Sequence, residues 1–116
     1  MTKYLGQWKD RESMIGGEDN YDGFYVNDEI KEEIRNADII VACYSQGSYD
    51  GSAFVLFRKD GKLYEVNEDH CSCNGLGRWE PEETFKEALL KRMDGNYQYG
   101  VWEFYGKELM EIIQSL

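Results

Sequence analysis

The fold is decided by the stretch SAFVLFRKDGKLYEV, which occupies residues 52–66. Both halves are rich in the β-branched and aromatic residues that favour strands, and the Asp60-Gly61 pair between them is a strong signal for a β-hairpin. The apolar run at 54–57 has no alternating polar positions, which is typical of a strand buried on both faces. The sequence therefore predicts an antiparallel hairpin whose first strand lies inside a sheet.

The hairpin extends into a longer meander. Residues 37–44 (ADIIVACY) form another apolar, β-branched run, and a loop-like segment at 46–51 separates it from the hairpin. We assign strands to residues 37–44, 52–58 and 62–66. This pattern predicts an antiparallel meander of three to four strands, with helices needed to cover the central one.

About three helices are predicted to provide that cover. Asn27 is a suitable cap for a helix at 28–36, whose early acidic residues suit the positive end of the helix dipole. Pro81 is expected to be the first residue of a second helix, which Asp94-Gly95 ends. The apolar stripe of this second helix comprises Phe85, Ala88, Leu89 and Met93.

The last helix is predicted to begin near Gly106. Its apolar stripe favours core packing over a partner surface and comprises Leu109, Ile112, Ile113 and Leu116. The preceding segment at 96–105 (NYQYGVWEFY) carries five aromatic residues. We expect a further strand or an extended segment there, with its rings packed beneath the last helix.

Length and composition are those of one small globular domain. The chain has 116 residues, of which 41% are hydrophobic and 15% aromatic, with a single proline. That size suits one core, and no repeat or linker divides the sequence. We therefore predict a single α+β domain over residues 1–116, an antiparallel three- to four-stranded meander packed with about three helices.

The charge of the chain restricts its partners. The formal net charge is −10, and acidic residues outnumber basic ones in every third of the sequence. Nucleic-acid phosphate and anionic lipid would be repelled, so direct binding to either is disfavoured. An acidic face can instead bind a basic protein surface, including one that normally holds DNA or RNA.

The cysteine count and the apolar runs bear on the compartment. Three cysteines is an odd number, and the start of the chain (MTKYLGQWKD) lacks the pattern of a secretion signal. No apolar run approaches the length that crosses a bilayer. We therefore expect a protein of the reducing cytosol, whose cysteines are thiols or metal ligands.

Residues 70–77 (HCSCNGLG) hold the only histidine and two of the three cysteines. His70, Cys71 and Cys73 are candidate zinc ligands, because zinc prefers thiolate and imidazole. A structural zinc site needs four ligands, however, and only Cys43 remains elsewhere. The alternatives are buried cysteines with His70 bracing the loop, or a Cys73–His70 nucleophile pair.

Other chemical signatures are incomplete. The segment before α1 partly matches a calcium-binding EF-hand loop, at Glu18, Asn20, Asp22, Gly23 and Glu29. However, the first loop position is Glu instead of Asp, and the eighth is the bulky Tyr25. A solvated acidic loop therefore explains the spacing better. Because no nucleotide-binding, zincin or glycosidase pattern occurs either, we predict a protein that is not an enzyme and needs no cofactor.

Two runs carry a resemblance to a known family. They are GSAFVLFRKDGKLYEVNEDHCSCNGL at 51–76 and RWEPEETFKEAL at 78–89. The chain resembles a family of small bacteriophage and prophage proteins over residues 38–90, most specifically in the HCSC and WEPEE segments. The first 36 residues and the tail from Asp94 do not match that pattern.

This resemblance implies a phage protein that acts in the cytosol of the bacterial host. Small acidic phage proteins without catalytic motifs resemble inhibitors that occupy a host surface, such as anti-CRISPR and other anti-defence proteins. We expect the host partner to be a nucleic-acid-binding defence complex with a basic surface. The candidate partner-binding residues are Glu18, Asp19, Tyr21, Asp22, Phe24, Tyr25, Glu29 and Glu33. The alternative is a structural or zinc-supported phage protein whose metal or brace site is His70, Cys71 and Cys73.

Overall fold

The computed structural model describes residues 2–16, 23–46, 50–71, 78–94 and 100–116. Across these residues the chain forms an α+β fold with one five-stranded mixed sheet and three α-helices. The strands follow chain order in the sheet and are β1 (Lys3–Gly6), β2 (Asp38–Gln46), β3 (Asp50–Lys59), β4 (Lys62–Cys71) and β5 (Glu82–Thr84). The helices are α1 (Asp28–Asn36), α2 (Lys86–Asp94) and α3 (Val101–Gln114), with a short 3-10 helix at Glu12–Met14.

The predicted meander is present as β2, β3 and β4, which pair antiparallel in sequence order. Asp60 and Gly61 connect β3 to β4 with φ values of 55° and 76°. Positive φ at both central residues is the requirement of a type I′ turn, whose twist matches that of the flanking strands. The hairpin prediction is therefore confirmed, although both strands are longer than predicted.

The sheet has one additional strand at each edge of the meander, and its five strands slightly exceed the predicted three to four. On one side, β1 pairs parallel with β2, which makes the sheet mixed. On the other side, β5 pairs antiparallel with residues Leu63 to Glu65 of β4. β1 and β2 are far apart in sequence, and a parallel pair needs a long crossover connection, which here contains the 3-10 helix and α1. No local sequence pattern therefore predicts this pairing.

The predicted burial of β3 on both faces is confirmed. Phe54 and Leu56 lie in the core on one face of the sheet, while Val55 and Phe57 lie in the core on the other. We call the face of Val55 and Phe57 face A and the opposite one face B. The core on face A contains five buried aromatic rings among its aliphatic side chains, and α2 and α3 contribute to the core on face B.

α1 begins and ends where the sequence predicts. The side chain of Asn27 accepts a hydrogen bond of 2.9 Å from the backbone N–H of Ile30. This bond satisfies one of the amides that the first helical turn leaves free. Ile34 is fully buried in the core of face A, so α1 packs there through its apolar stripe.

The start of the second helix is a correction. Pro81 is not its first residue, because Glu82–Thr84 form β5 and α2 begins only at Lys86. Pairing with the free edge of β4 takes precedence over the helix-start pattern, and it buries the Thr84 side chain. Phe85 consequently lies outside the helix and is largely exposed rather than part of an apolar stripe. Leu89 is buried as expected.

α3 spans Val101–Gln114, but its backbone is not helical at Tyr105 (φ −126°, ψ 16°), and this kink separates an additional first turn from the helix predicted to begin near Gly106. The backbone N–H of Val101 donates a 2.9 Å hydrogen bond to the hydroxyl of Ser52, and this bond ties the helix start to β3. Trp102 is buried against Phe54, at 4.7 Å between ring centroids. An extended conformation for 101–105 is therefore wrong, although core packing of Trp102 is confirmed; residues 96–99 lie outside the described residues.

The apolar stripe of α3 packs in the core as predicted. Leu109 and Ile113 are fully buried, and Ile112 and Leu116 pack against them on face B. Within the described parts of the chain, no helix is both long enough and apolar enough to cross a membrane.

Candidate functional site

Phe24 is a core residue, so its assignment as a partner-binding anchor is wrong. Its side chain is fully buried, with ring centroids 5.6 Å from Trp8 and 5.3 Å from Trp79. The backbone holds it there, because the Phe24 N–H donates to Met14 and its carbonyl accepts from Gly16. Loss of this ring would open a cavity in face A instead of removing a surface contact.

Tyr25 has the opposite orientation and remains a candidate contact residue. Successive side chains of an extended segment point to opposite sides, so a buried Phe24 places Tyr25 outward. Its exposure of 81% is the highest among the large hydrophobic residues that the structure describes, ahead of Phe104 at 65% and Phe85 at 59%. An exposed tyrosine of this kind is available to a partner without any change of fold.

The predicted acidic residues of α1 have different surroundings. Glu29 is exposed, and Asp28 at the first helical position is exposed as well, with its carboxylate 3.8 Å from Lys31. Glu33 is half-buried and lies 3.4 Å from the indole N–H of Trp79, which donates to it. Glu33 therefore has a structural contact, whereas Glu29 is open to solvent.

Arg35 neutralises the other end of α1. Its guanidinium contacts Glu12 at 2.9 Å and Glu32 at 2.8 Å. The hydrogen bond from Arg35 holds the pKa of Glu12 below its usual range. At the N-terminal end of the helix, Asp28 and Glu29 are exposed and have no arginine partner among the described residues. We call Tyr25, Asp28 and Glu29 together the α1 acidic end.

Several predicted residues cannot be placed. Glu18, Asp19, Tyr21 and Asp22 of the partner-binding prediction lie outside the described residues, as does most of the EF-hand-like spacing. Cys73 lies outside them too, and Cys71 is described only as the last backbone position of β4. The predictions for these residues stay predictions.

His70 is located in β4 and pairs with Tyr44 of β2. The Tyr44 hydroxyl and His70 Nε2 are 2.6 Å apart, and their rings stack at 5.8 Å. Gly51 of β3 lies between them, and a Cβ atom at that position would collide with both His70 Nε2 and the Tyr44 hydroxyl. The tyrosine–histidine contact therefore depends on a glycine in the intervening strand.

The same geometry limits the metal hypothesis. His70 lies beside Tyr44 on face A, while Cys43 is buried in the core of face B. Cys43 therefore cannot complete a zinc site with His70, because the sheet separates their side chains. Burial, together with the charge of Glu108, raises the pKa of the Cys43 thiol to about 12. Among the described residues, no three metal-ligating side chains come together.

A buried ion pair on face B was not predicted from sequence. Glu65 is 4% exposed, and Arg92 of α2 contacts its carboxylate at 2.5 and 3.1 Å. Burial opposes ionisation of Glu65, but hydrogen bonds from Arg92, Thr84 and Asn67 outweigh it and hold its pKa below the usual range. The sequence did contain one indication of this pair, namely a glutamate within a predicted strand. A glutamate that is buried there needs a cationic or hydrogen-bonding partner.

A second group of carboxylates lies at the far end of β4. The pKa of Glu68 is raised, first by its partial burial and then by the charges of Glu80 and Asp69. Like charges close together disfavour ionisation of the least solvated one. These three residues add to the negative potential of the molecule but form no ion pair with another described residue.

Comparisons with protein families, curated proteins and solved structures find no match to this chain.

Proposed function

We propose that this chain is a phage-encoded, non-enzymatic protein that binds a host protein. Its specific form is an anti-CRISPR or other anti-defence inhibitor, which presents an acidic surface to a basic nucleic-acid-binding site. The observation that supports the proposal is the exposure of the α1 acidic end: the Tyr25 ring and, three and four positions later in the chain, the side chains of Asp28 and Glu29 are all open to solvent.

The arrangement combines two features of protein interfaces. Tyrosine is enriched among the residues that dominate binding energy, because it buries a large rigid ring and keeps a polar tip. Carboxylates that follow it in the chain would steer a basic partner and set its orientation. A net charge of −10 adds a long-range attraction to any strongly basic surface.

The same charge supports competition with nucleic acid instead of binding to it. A basic groove that normally neutralises phosphates would attract an acidic protein by the same Coulomb interaction. Occupation of that groove would block the nucleic acid without any chemical step. The phage origin and the bacterial cytosol as compartment rest on the sequence resemblance at residues 38–90.

The test compares a charge-reversed protein with a matched control. In the test variant, Asp28→Lys and Glu29→Lys are combined, and in the control Glu108→Lys and Glu111→Lys reverse two exposed carboxylates of α3. Each tagged protein is incubated with lysate of the bacterial host containing its defence complexes. Bound proteins are eluted at rising salt and identified by mass spectrometry, and nucleic-acid binding by the captured partner is then measured.

The proposal expects a nucleic-acid-binding partner that is released by salt and loses its nucleic acid when the wild-type protein is added. The α1 variant should lose this partner, while the α3 control keeps it. Binding that is insensitive to salt, or equal losses in both variants, would contradict the α1 acidic end as the contact surface.

A second candidate is supported by the Tyr44–His70 contact. In this proposal the segment that follows β4 is structural, either braced by His70 or supported by zinc with Cys71 and Cys73. Tyr44 already uses Nε2 of His70, so a metal would have to take Nδ1. Zinc analysis of protein purified without added metal tests the zinc-supported form. About one equivalent of bound zinc would support it, whereas the absence of zinc would leave the form in which His70 braces the segment.

A further inference from the structure

We propose that the first turn of α3, residues 101–105, opens and closes over face B as one unit while the rest of the helix stays packed. We call this turn the α3 strap, and its hinge is at Tyr105 and Gly106. The inference goes beyond the proposed function and does not depend on it, because the strap packs on face B whereas α1 packs on face A.

Two adjacent residues interrupt α3 after its first turn. Tyr105 has φ −126° and ψ 16°, which are not helical values. Gly106 follows it, and in the described part of the chain a Cβ atom there would have no neighbour within 4 Å. Glycine also has the widest conformational range of any residue. The turn before Tyr105 can therefore change its direction without disturbing the helix after it.

The start of the strap is tied to β3 by one serine. Gly100 precedes the strap at φ 57° and ψ −128°, and it offers no capping side chain to the helix. The hydroxyl of Ser52 takes that place, because it accepts the 2.9 Å hydrogen bond from the backbone N–H of Val101. A Cβ atom at Gly100 would collide with the same hydroxyl, so the close approach depends on glycine. Opening of the strap breaks this bond.

The packing beneath the strap is incomplete. A cavity of about 40 Å³ lies there, and Val101 and Trp102 line it from the strap while β3 and β4 line it from the sheet. Groups that border a cavity lack contacts on one side, which weakens their attachment. Beyond the hinge, by contrast, Leu109 and Ile113 are fully buried in the core of face B. The strap is consequently the part of α3 that separates from the sheet first.

The strap should open in one step and not residue by residue. Val101 and Trp102 are both buried, at 2% and 8% exposure, and the Trp102 ring packs on Phe54. Rotation about the hinge takes both side chains out of the core together. The open state exposes Phe54 and gives the protein an apolar opening on face B that the closed state hides.

Native-state hydrogen exchange of the full chain, followed by NMR at increasing urea, measures this opening. The informative amides are those of Val101, which donates to Ser52, and of Glu103 and Phe104, which donate to the Gly100 carbonyl at 3.1 and 3.3 Å. A single helical turn that leaves the core is not stable in water, so opening frees all three amides.

The inference expects these three amides to share one opening equilibrium and one urea dependence. Their protection should be at least about tenfold lower than that of the amides of residues 109–113. Protection that instead rises gradually from Val101 onwards would show ordinary fraying of a helix end. Either that pattern or equal protection in both parts of α3 would overturn the inference.

Two serine variants test the tie to β3. Ser52→Ala should lower the protection of the strap by about a further fivefold relative to residues 109–113, since it removes one hydrogen bond. Ser115→Ala is the matched control, because it removes a 2.8 Å hydroxyl hydrogen bond at the other end of α3. It should leave the strap amides unchanged. Equal effects of the two variants on the strap would contradict the proposed tie.

Gly106→Ala tests the hinge and keeps the inference falsifiable if Ser52→Ala does not fold. Alanine restricts the backbone and favours the helix, so it should raise the protection of the strap by about threefold relative to residues 109–113. A ratio that stays unchanged would exclude Gly106 as the hinge and overturn the inference.

Discussion

The hydroxyl of Tyr44 lies 2.6 Å from Nε2 of His70, which connects β2 to β4 across the intervening strand. Tyr44 is fully buried and also stacks on Trp8 at 5.5 Å. The contact thus joins the aromatic core of face A to the end of β4, where the HCSC segment begins. It gives His70 a structural role whether or not a metal is bound nearby.

Replacement of Tyr44 by phenylalanine should remove this hydrogen bond and leave the ring packing intact. We expect the free energy of unfolding to fall by about 1 kcal/mol, the usual net contribution of one such bond. Urea denaturation of Tyr44→Phe measures the change. Tyr64→Phe is the control, because the described residues offer its hydroxyl no hydrogen bond. Equal losses in the two variants would show that the Tyr44–His70 bond contributes nothing specific.

Gly51 and Gly106 should respond oppositely to alanine. A Cβ atom at Gly51 would collide with the Tyr44–His70 pair, whereas one at Gly106 in α3 would meet open space. We expect Gly51→Ala to destabilise the protein by about 1–3 kcal/mol. Gly106→Ala should stabilise it by about 0.5–1 kcal/mol, because alanine favours the helix. Thermal unfolding of both variants checks the pair, and a stable Gly51→Ala protein would contradict the geometry.

Arg92 should be far more important for stability than Arg35. Removal of Arg92 leaves Glu65 as a buried, uncompensated carboxylate, for which we expect a loss of about 3 kcal/mol in Arg92→Met. Arg35→Met breaks two ion pairs that are exposed to solvent and screened by it, so its loss should be much smaller. Chemical denaturation of the two variants gives the comparison, and similar losses would refute the distinction.

Stability should also depend on pH through Glu65. Its folded pKa is depressed, so its ionised form contributes stability that is present above its unfolded pKa and is lost as the pH falls through the folded pKa. Wild-type protein should therefore lose more stability than Glu65→Gln between about pH 5 and pH 3. Urea midpoints measured across this range test the sign. Parallel curves for the two proteins would remove Glu65 as a source of acid sensitivity.

Cys43 should be unreactive while the protein is folded. It is fully buried, and its pKa is raised to about 12, so little thiolate forms near neutral pH. We expect iodoacetamide at pH 8 to alkylate Cys43 only in urea, as read by mass spectrometry of the peptide that contains it. Alkylation in native buffer at the rate found in urea would show that this part of face B opens readily.

The local features of the fold were predictable from sequence because each depends on neighbouring residues. The Asp60-Gly61 turn needs positive φ at two adjacent positions, and Asn27 caps the helix that immediately follows it. The uniform apolar run at 54–57 indicates burial on both faces without knowledge of what covers them. These signals correctly predicted the central meander, α1 and the apolar stripe of α3.

The candidate site was only partly predictable. The acidic, aromatic segment before α1 was identified, but periodicity did not show that Phe24 points into the core while Tyr25 points out. The partner of His70 was not identifiable either, because Tyr44 is 26 residues away and meets it only when β2, β3 and β4 are in register.

The sequence by itself determined the turns, the helix cap and which runs are apolar, since these follow from the conformational preferences and solvation of adjacent residues. Tertiary structure alone decided that Glu82–Thr84 form a strand and not a helical turn, and that β1 joins the sheet in parallel. Both outcomes depend on hydrogen bonds to a distant strand edge. Such a bond is available only after the chain has folded, and it then outweighs a local propensity of well under about 1 kcal/mol per residue.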